Sequence, residues 1–597
     1  MYVIVVIFVF HRKNQLVVPS RTIEVSDEVG RDAGQVSHDN GTCNYLDKLP
    51  AIEPSLPSTS EEIETIENIH SDDLLPALCE ERVEANESVA KVSFSLLGRR
   101  LVDIGHFLRG IMSIGVHDPF SCTVSDMEIV SEFRKGLISI IQLKCKMCGL
   151  TRNIETDAPR NDSNVNTSMV MGIMATGGGY SQLQEICAAV DMPCMAQRTY
   201  AKCHDITSTA FHDAATKLMS DAAEEEARIA REKGEVDENG IPCITVVADG
   251  SWAKRSYKTK YDSLSGVAAI LGYQTKRILF IGVRNKYCSI CDRQKNTSSL
   301  DIVRDHKCLK NWAQSSTAME SDAIVEGFRS SIEMHGLKYT KLVGDGDSSV
   351  HRKLVDALPY GPSQLAQKIE CRNHILRNYS SRLQAICLNR KVGNVVQRNF
   401  LRQNLKRLRY AVTSALKHRK GQVELPRYRR VEELRKDIVN GPYHVFGDHS
   451  ACKDRGYFCD GMSKPVEVNV KEIQTTGIFQ EIKSALHRVS VNASSLIHDV
   501  DNNIAELYNS HIAKTIGGKR VNFALRGSYQ ARCEAAVVNM NSNGKLLDIV
   551  QSILSENEPG NFTAQYTARK VRGRELRSQR EPHQHFAKRK SHPNDRF

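Results

Sequence analysis

The strongest constraint on the fold is a pair of short apolar runs, each closed by an acid and a glycine. Residues 244–248 (Ile-Thr-Val-Val-Ala) lead into Asp249-Gly250-Ser251, and residues 339–343 (Tyr-Thr-Lys-Leu-Val) lead into Gly344-Asp345-Gly346-Asp347. Runs this short and this rich in β-branched residues predict buried strands. Between them lie two further runs, 264–271 and 278–283, joined by Gly272-Tyr-Gln-Thr-Lys276, which predict a hairpin. Thr317-Ala-Met-Glu320 has the form of a capping box. It opens a helix with Ile324, Phe328 and Ile332 on one stripe and Gly336 at its end. An acid beyond the C-terminal end of a strand stands where open α/β sheets bind ligands. Asp249 alone fits a tight turn equally well.

A third acid changes that balance. Glu506 lies in a helical stretch with Asn502, Asn509 and Ser510 on its polar side, and Ile504, Leu507, Tyr508, His511 and Ile512 on the other. Three carboxylates arriving from distant segments can hold two divalent cations. Asp345 and Asp347 compete for the second position. Asp345, which follows its strand directly, is preferred.

Charge is unevenly spread along the 597 residues. Residues 1–90 hold 6 Lys/Arg against 17 Asp/Glu, whereas the whole chain carries +11, which leaves +22 on the remainder. An acidic leader on a basic body points to a polyanionic partner such as nucleic acid, although solvated surface charge reads the same way. Residues 389–420 are basic and helical in pattern, with Arg398, Arg402, Lys406 and Arg407 as candidate phosphate contacts, and Lys519, Arg520 and Arg526 add charge further on. The apolar stretch at residues 2–10 is too short to span a bilayer and lacks a basic flank, so neither a membrane anchor nor a signal peptide is expected.

Seventeen cysteines, several in C-x-x-C or C-x-x-H pairs, favour metal binding in a reducing compartment over disulfides. Cys288, Cys291, His306 and Cys308 give a compact four-ligand zinc pattern. Cys145 and Cys148, with His117 and Cys122 upstream, give a second. His444, His449, Cys452 and Cys459 form a third, with irregular spacing. Gly177-Gly-Gly179 lacks the Gly-Lys-Ser/Thr of a phosphate loop and reads as a hinge.

The chain then divides as follows: an acidic disordered leader (1–91), a zinc-binding module (92–160) and a helical region (161–240). The first part of the core follows (241–348), with a zinc knob at 285–312. Beyond it come a helical insertion (349–495), the second part of the core with the Glu506 helix (496–535), and an extension with a basic disordered tail (536–597).

In order along the chain stand Val247-Ala-Asp249-Gly-Ser-Trp252, Asn285-Lys-Tyr-Cys288-Ser-Ile-Cys291, Val343-Gly-Asp345-Gly-Asp347-Ser348, Glu370-Cys371-Arg-Asn-His374, His444-Val-Phe-Gly-Asp-His449 and Asn502-Asn-Ile-Ala-Glu506-Leu-Tyr-Asn509. Taken together, these resemble the Mutator-like DDE transposases, in particular the arthropod type. The resemblance implies an RNase H-like mixed sheet with a large helical insertion, catalysis by Asp249, Asp345 and Glu506, and two Mg2+ (or Mn2+) per active site beside structural Zn2+. It maps the family's C-x-x-H motif onto Cys371 and His374. It also implies DNA as partner, both transposon terminal repeats and target, a homo-oligomer on that DNA, and work in the nucleus. A domesticated descendant that binds DNA without cutting it, and a plain RNase H-like nuclease, are the other expectations these motifs permit.

Overall fold

The computed structural model describes residues 96–579 except 160–162, 255–262, 297–305, 307, 346–347, 453–472, 474, 520 and 522. The expected leader and the end of the basic tail fall outside these residues, as do Asp347, Arg520 and Cys459. From Gly98 onward the described residues belong to one compact unit.

The chain begins with α1 (Ile104–Met112) laid on a three-stranded antiparallel sheet of β1 (Met127–Lys135), β2 (Ile138–Cys145) and β3 (Thr151–Glu155). The β1–β2 turn docks on the next helix, α2 (Val165–Thr176). There the Asn166 side chain accepts from the Leu137 N–H at 2.7 Å and donates to the Lys135 carbonyl at 2.9 Å. Next come α3 (Tyr180–Ala189) and the long α4 (Gln197–Glu232). Gly177 has a defined structural role. It caps α2 at φ 90°, and a Cβ there would stand 2.3 Å from the carbonyl of Lys514. Only glycine takes that conformation at so close an approach.

The central sheet holds β4 (Cys243–Trp252), β5 (Ser265–Gly272), β6 (Ile278–Asn285), β7 (Lys338–Gly344) and β8 (Gln367–Glu370), in the order β6-β5-β4-β7-β8. The first three pair antiparallel, while β7 and β8 run parallel to β4. Every residue of β5 is buried, which suits its small and branched sequence. After β6 comes α5 (Ser289–Asn296), then α6 (Met319–His335) before β7 and α7 (Ser348–Ala357) after it. The expected capping box does not form, because α6 begins at Met319 with no side-chain cap. Glu320 instead occupies the space that a Cβ on Gly250 would need.

Alternation along β4 divides the core in two. Val246 and Ala248 pack with α6 and the end of α4, whereas Val247 packs on the opposite face with the start of α4.

Beyond β8 the chain builds a helical body with its own apolar cluster: α8 (Arg372–Leu388), α9 (Val395–Gly421), α10 (Arg427–Val445), α11 (Gly477–Val491) and the short α12 (Ala493–Leu496). A buried pair ties α9 to α10, with Arg419 Nε donating to Asp437 at 2.6 Å. The chain then returns to the sheet as α13 (Asn503–Thr515), α14 (Ser528–Asn541), α15 (Leu546–Ser555) and α16 (Asn561–Gln579).

The last helix departs from the expected disordered tail. Its basic sequence folds as far as Gln579, and Thr567, buried on α16, donates to Asp548 of α15 at 2.8 Å. Among the described residues no helix is long and apolar enough to cross a membrane.

Candidate active site and cysteine–histidine groups

β4 and β7 remain paired up to Val247 and Val343, and each strand carries its acid two residues further on. Equal offsets on adjacent parallel strands bring Asp249 and Asp345 to the same level of the sheet. Asp249 does not end its strand as expected. β4 continues to Trp252 on the antiparallel side, where Asp249 is paired with Ala269. The acid therefore sits at the step where β7 stops and β4 runs on. Asp345 is exposed just past β7.

Asp249 shares the face of Val247, toward α13. On that helix Asn509 Nδ2 donates to Asp249 Oδ2 at 3.0 Å, and the Gly250 N–H donates to Oδ1 at 2.9 Å. Glu506 stands exposed in the first turn of α13. Burial pushes the Asp249 carboxyl up to about 6. The negative charges of Asp345 and Glu506 add to that rise, while the Gly250 and Asn509 donors oppose it. All three expected acids are thus brought into one electrostatic neighbourhood. On α13, Tyr508 and Ile512 of the expected apolar side are buried, as is Ala505 beside them, but Leu507 is exposed.

Three cysteine–histidine groups also assemble, each with its ligand atoms within 4.8 Å of one another: His117, Cys122, Cys145 and Cys148; Cys288, Cys291, His306 and Cys308; and His444, His449 and Cys452. The first is built from two tight turns. His117 and Cys122 exchange backbone hydrogen bonds at 3.0 Å, and the Gly149 N–H reaches back to the Cys145 carbonyl at 3.0 Å. The backbone N–H of Cys148 leads in drawing the Cys145 thiol down to about 6. Cys122 is pushed up to about 11, by burial first and then by its two cysteine neighbours. In the second group His306 Nε2 lies 3.4 Å from both Cys288 and Cys291, and the sulfurs of Cys291 and Cys308 are 3.5 Å apart. Burial would raise Cys288, but backbone N–H groups of Cys291 and Ile290 outweigh it and bring the thiol to about 6. In the third, Cys452 Sγ lies 3.4 Å from His444 Nδ1, and its expected fourth member, Cys459, is outside the described residues.

Thiolates and imidazoles at this spacing are compatible with structural zinc. The purified protein is expected to carry zinc at both four-ligand groups. Cys145→Ser and Cys288→Ser should each remove one ion by elemental analysis. An unchanged zinc content in either variant would count against its group.

The expected phosphate contacts are sorted by the structure. Arg398 turns back to the carbonyls of Val392 and Gly393, and Arg407 is half-buried against Asn404. Both are half-buried, and both are engaged by neighbours on their own helix or the turn before it. Arg402 and Lys406 are exposed. Arg409, Lys417 and Lys420 continue their stripe at helical spacing, which the 3.6-residue period alone would have found. Arg526 is exposed, and nothing is described of the Lys519 side chain. Cys371 and His374 join none of the three groups. Cys371 is buried and donates to Asn502, while His374 Nδ1 is buried without a hydrogen-bond partner.

A family model for Mutator-like transposases matches residues 98–459, more than half of the chain, and the chain belongs to that family. Asp249 and Asp345 fall within the matched span, and Glu506 lies beyond it. No curated protein matches the sequence.

Proposed function

We propose that the chain is a DNA transposase of the DDE type, acting through Asp249, Asp345 and Glu506 on transposon-end and target DNA in the nucleus. The observation that carries this reading is the placing of Asp249 and Asp345 at equal offsets on β4 and β7, with Asn509 of the Glu506 helix on Asp249 and the charges of Asp345 and Glu506 both raising the cost of ionising it. An all-carboxylate donor set suits Mg2+ or Mn2+ and not the softer zinc of the cysteine groups. A pair of such ions would lower the pKa of an attacking water and stabilise the leaving oxygen.

The residues of the chain divide the remaining work. Gly250 and Asn509 hold the Asp249 carboxylate in one orientation, and Asp345 and Glu506 are exposed and so open to an approaching duplex. An antiparallel hairpin pair followed by two parallel strands, in the order β6-β5-β4-β7-β8, is the arrangement an RNase H-like core requires, with the helical body as its insertion. The test is incubation with labelled duplexes carrying the sequences that flank the gene, in Mg2+. Nicked ends bearing 3′-hydroxyls and joined products are expected. Binding without nicks would favour a domesticated DNA-binding protein, and nicks without joining a plain nuclease.

On the same reading the α9 ridge tracks the DNA backbone. From Arg402 to Lys420 it runs about 27 Å, or roughly eight base pairs. It ends where Lys420 meets Asp499, whose other partner, Arg372, follows β8. Replacing Arg402, Lys406, Arg409 and Lys417 together by Ala is expected to weaken duplex binding and to cut the slope of log affinity against log salt by about 3–4. The same number of substitutions on α4, at the exposed Arg198, Lys202, Lys217 and Arg231, should leave the slope nearly unchanged. Equal slopes for the two variants would remove the ridge from the interface.

A further inference from the structure

The chain leaves the sheet for the helical body after β8 and returns just before α13, so Asp345 and Glu506 stand on opposite sides of a neck. Three successive residues close that neck. The Cys371 N–H donates to the carbonyl of Gly344, the residue before Asp345, at 3.0 Å. Its thiol, fully buried, donates to Asn502 Oδ1 at 3.2 Å, at the cap of the helix that bears Glu506. The Arg372 N–H donates to the Val500 carbonyl at 2.9 Å, and its guanidinium pairs with Asp499 and, at 3.6 Å, with Asp501. Asn373 Nδ2 then donates to Asn503 Oδ1 at 2.9 Å, on the first residue of α13. Cys371 thus touches both arms at once, by its backbone on the Asp345 side and by its sulfur on the Glu506 side.

We propose that residues 371–373 are a positioning clamp, which fixes Asp345 relative to Glu506 so that the acids stand preassembled for divalent cations. This rests on the reading of the three acids as metal ligands. The physical need is plain from the layout. Like charges push the two arms apart, and a helical body with its own core lies between them in sequence. Without a tie at the neck, each movement of that body would alter the separation of the acids. The cysteine is therefore assigned to the clamp and not to a metal site. Burial shields the hydrogen bond from its thiol to Asn502 from water.

The test is Mn2+ binding to the DNA-free, zinc-loaded full chain, read by calorimetry, beside the Mg2+ concentration that gives half-maximal cleavage. Cys371→Ala is expected to weaken Mn2+ binding about tenfold, as loss of an outer-shell partner does. It should raise the Mg2+ requirement in parallel, with most of the activity recovered at saturating metal. Cys371→Ser, which keeps a donor, should recover most of the affinity. Cys387→Ala removes another buried thiol, within the helical body, and should lower thermal stability without moving metal affinity. Asn373→Ala removes the exposed contact to Asn503 and a long one from Arg372, leaves Cys371 in place, and serves where Cys371→Ala folds poorly, with an expected loss of roughly threefold.

If Cys371→Ala and Asn373→Ala both bind Mn2+ as Cys387→Ala does, the clamp is overturned and Cys371 is only a packing residue. If Asp249→Ala leaves the wild-type Mn2+ isotherm unchanged, the acids do not hold the metal. The underlying reading then fails, and the clamp with it.

Discussion

Asp249→Ala is expected to lower strand cleavage by at least about 10³-fold, since loss of even one well-placed stabilising donor costs 10²–10³ in kcat. DNA affinity should stay within about twofold of wild type, because phosphate contacts made by basic side chains dominate it. Asp249 is the most enclosed of the three acids, held by the Gly250 N–H and Asn509. Glu506→Gln should abolish cleavage as well, by removing charge at nearly constant shape. It carries a second signature in Mg2+-free buffer. Asp249 titrates near 6 because burial, and then the charges of Asp345 and Glu506, disfavour its ionised form. A carboxyl raised in this way contributes stability that is fully present below the ordinary carboxylate pKa and is lost as pH rises through about 6. The metal-free wild type should therefore lose stability between pH 4 and 7. Glu506→Gln should reduce that loss and stand above wild type at pH 7.5 by roughly 0.5–1 kcal/mol. Thermal unfolding across pH reads the second effect and cleavage of end-labelled duplex the first. Near-normal cleavage by either variant would falsify the catalytic assignment.

What was legible beforehand was local. The runs before Asp249 and Asp345 announce buried strands because β-branched residues have few other uses in runs so short. The C-x-x-C pairs announce themselves because one tight turn supplies both thiolates and the N–H groups that stabilise them. The polar side of the Glu506 helix was visible as spacing, but not that Asn509 would reach Asp249 across 260 positions. Arg398 and Arg407 look identical in sequence to Arg402 and Lys406. Only the packing of α9 on its neighbours decides which of them turn inward, and the helical period carries that information when it is followed out to Lys420. The start of the tail, up to Gln579, departs from expectation for the opposite reason. Its charge suggested disorder, yet Thr567 and Asp548 dock α16 on α15, a pairing between elements that composition does not record. Gly177 is of the same kind, since its constraint comes from Lys514, far along the chain.

Arg532 is the most consequential residue that the sequence did not single out, and its loss should be the most destabilising single change near the site. Its side chain is 1 % exposed on α14. One guanidinium nitrogen donates to the carbonyls of Met174 at 3.1 Å and Thr515 at 2.6 Å, and the other to Gly178 at 2.6 Å. The group also lies 3.7 Å from the centre of the Phe523 ring. It thereby donates to carbonyls at the C-terminal ends of α2 and α13, where helices run out of their own donors, although Met174 also accepts from the Gly177 N–H at 3.2 Å. A cation at two helix C-termini is further favoured by their dipoles. Burial lowers its pKa to about 10, so it stays charged at neutral pH. Arg532→Ala removes the guanidinium from the Thr515 and Gly178 carbonyls, leaves Met174 with only the Gly177 N–H, and opens a void beside Phe523. The expected cost is about 2–5 kcal/mol, from the penalty for the two orphaned carbonyls and the lost packing. Arg532→Lys keeps the charge but offers neither a planar fork nor a face to stack on the ring, and should recover less than half of the loss. Because Thr515 ends the helix that begins beside Glu506, both variants should also need more Mg2+ for half-maximal cleavage. Urea unfolding followed by far-UV circular dichroism measures the first effect. A change under about 1 kcal/mol for Arg532→Ala would mean that water replaces the guanidinium at all three carbonyls, and that α13 is held in place by its apolar side alone.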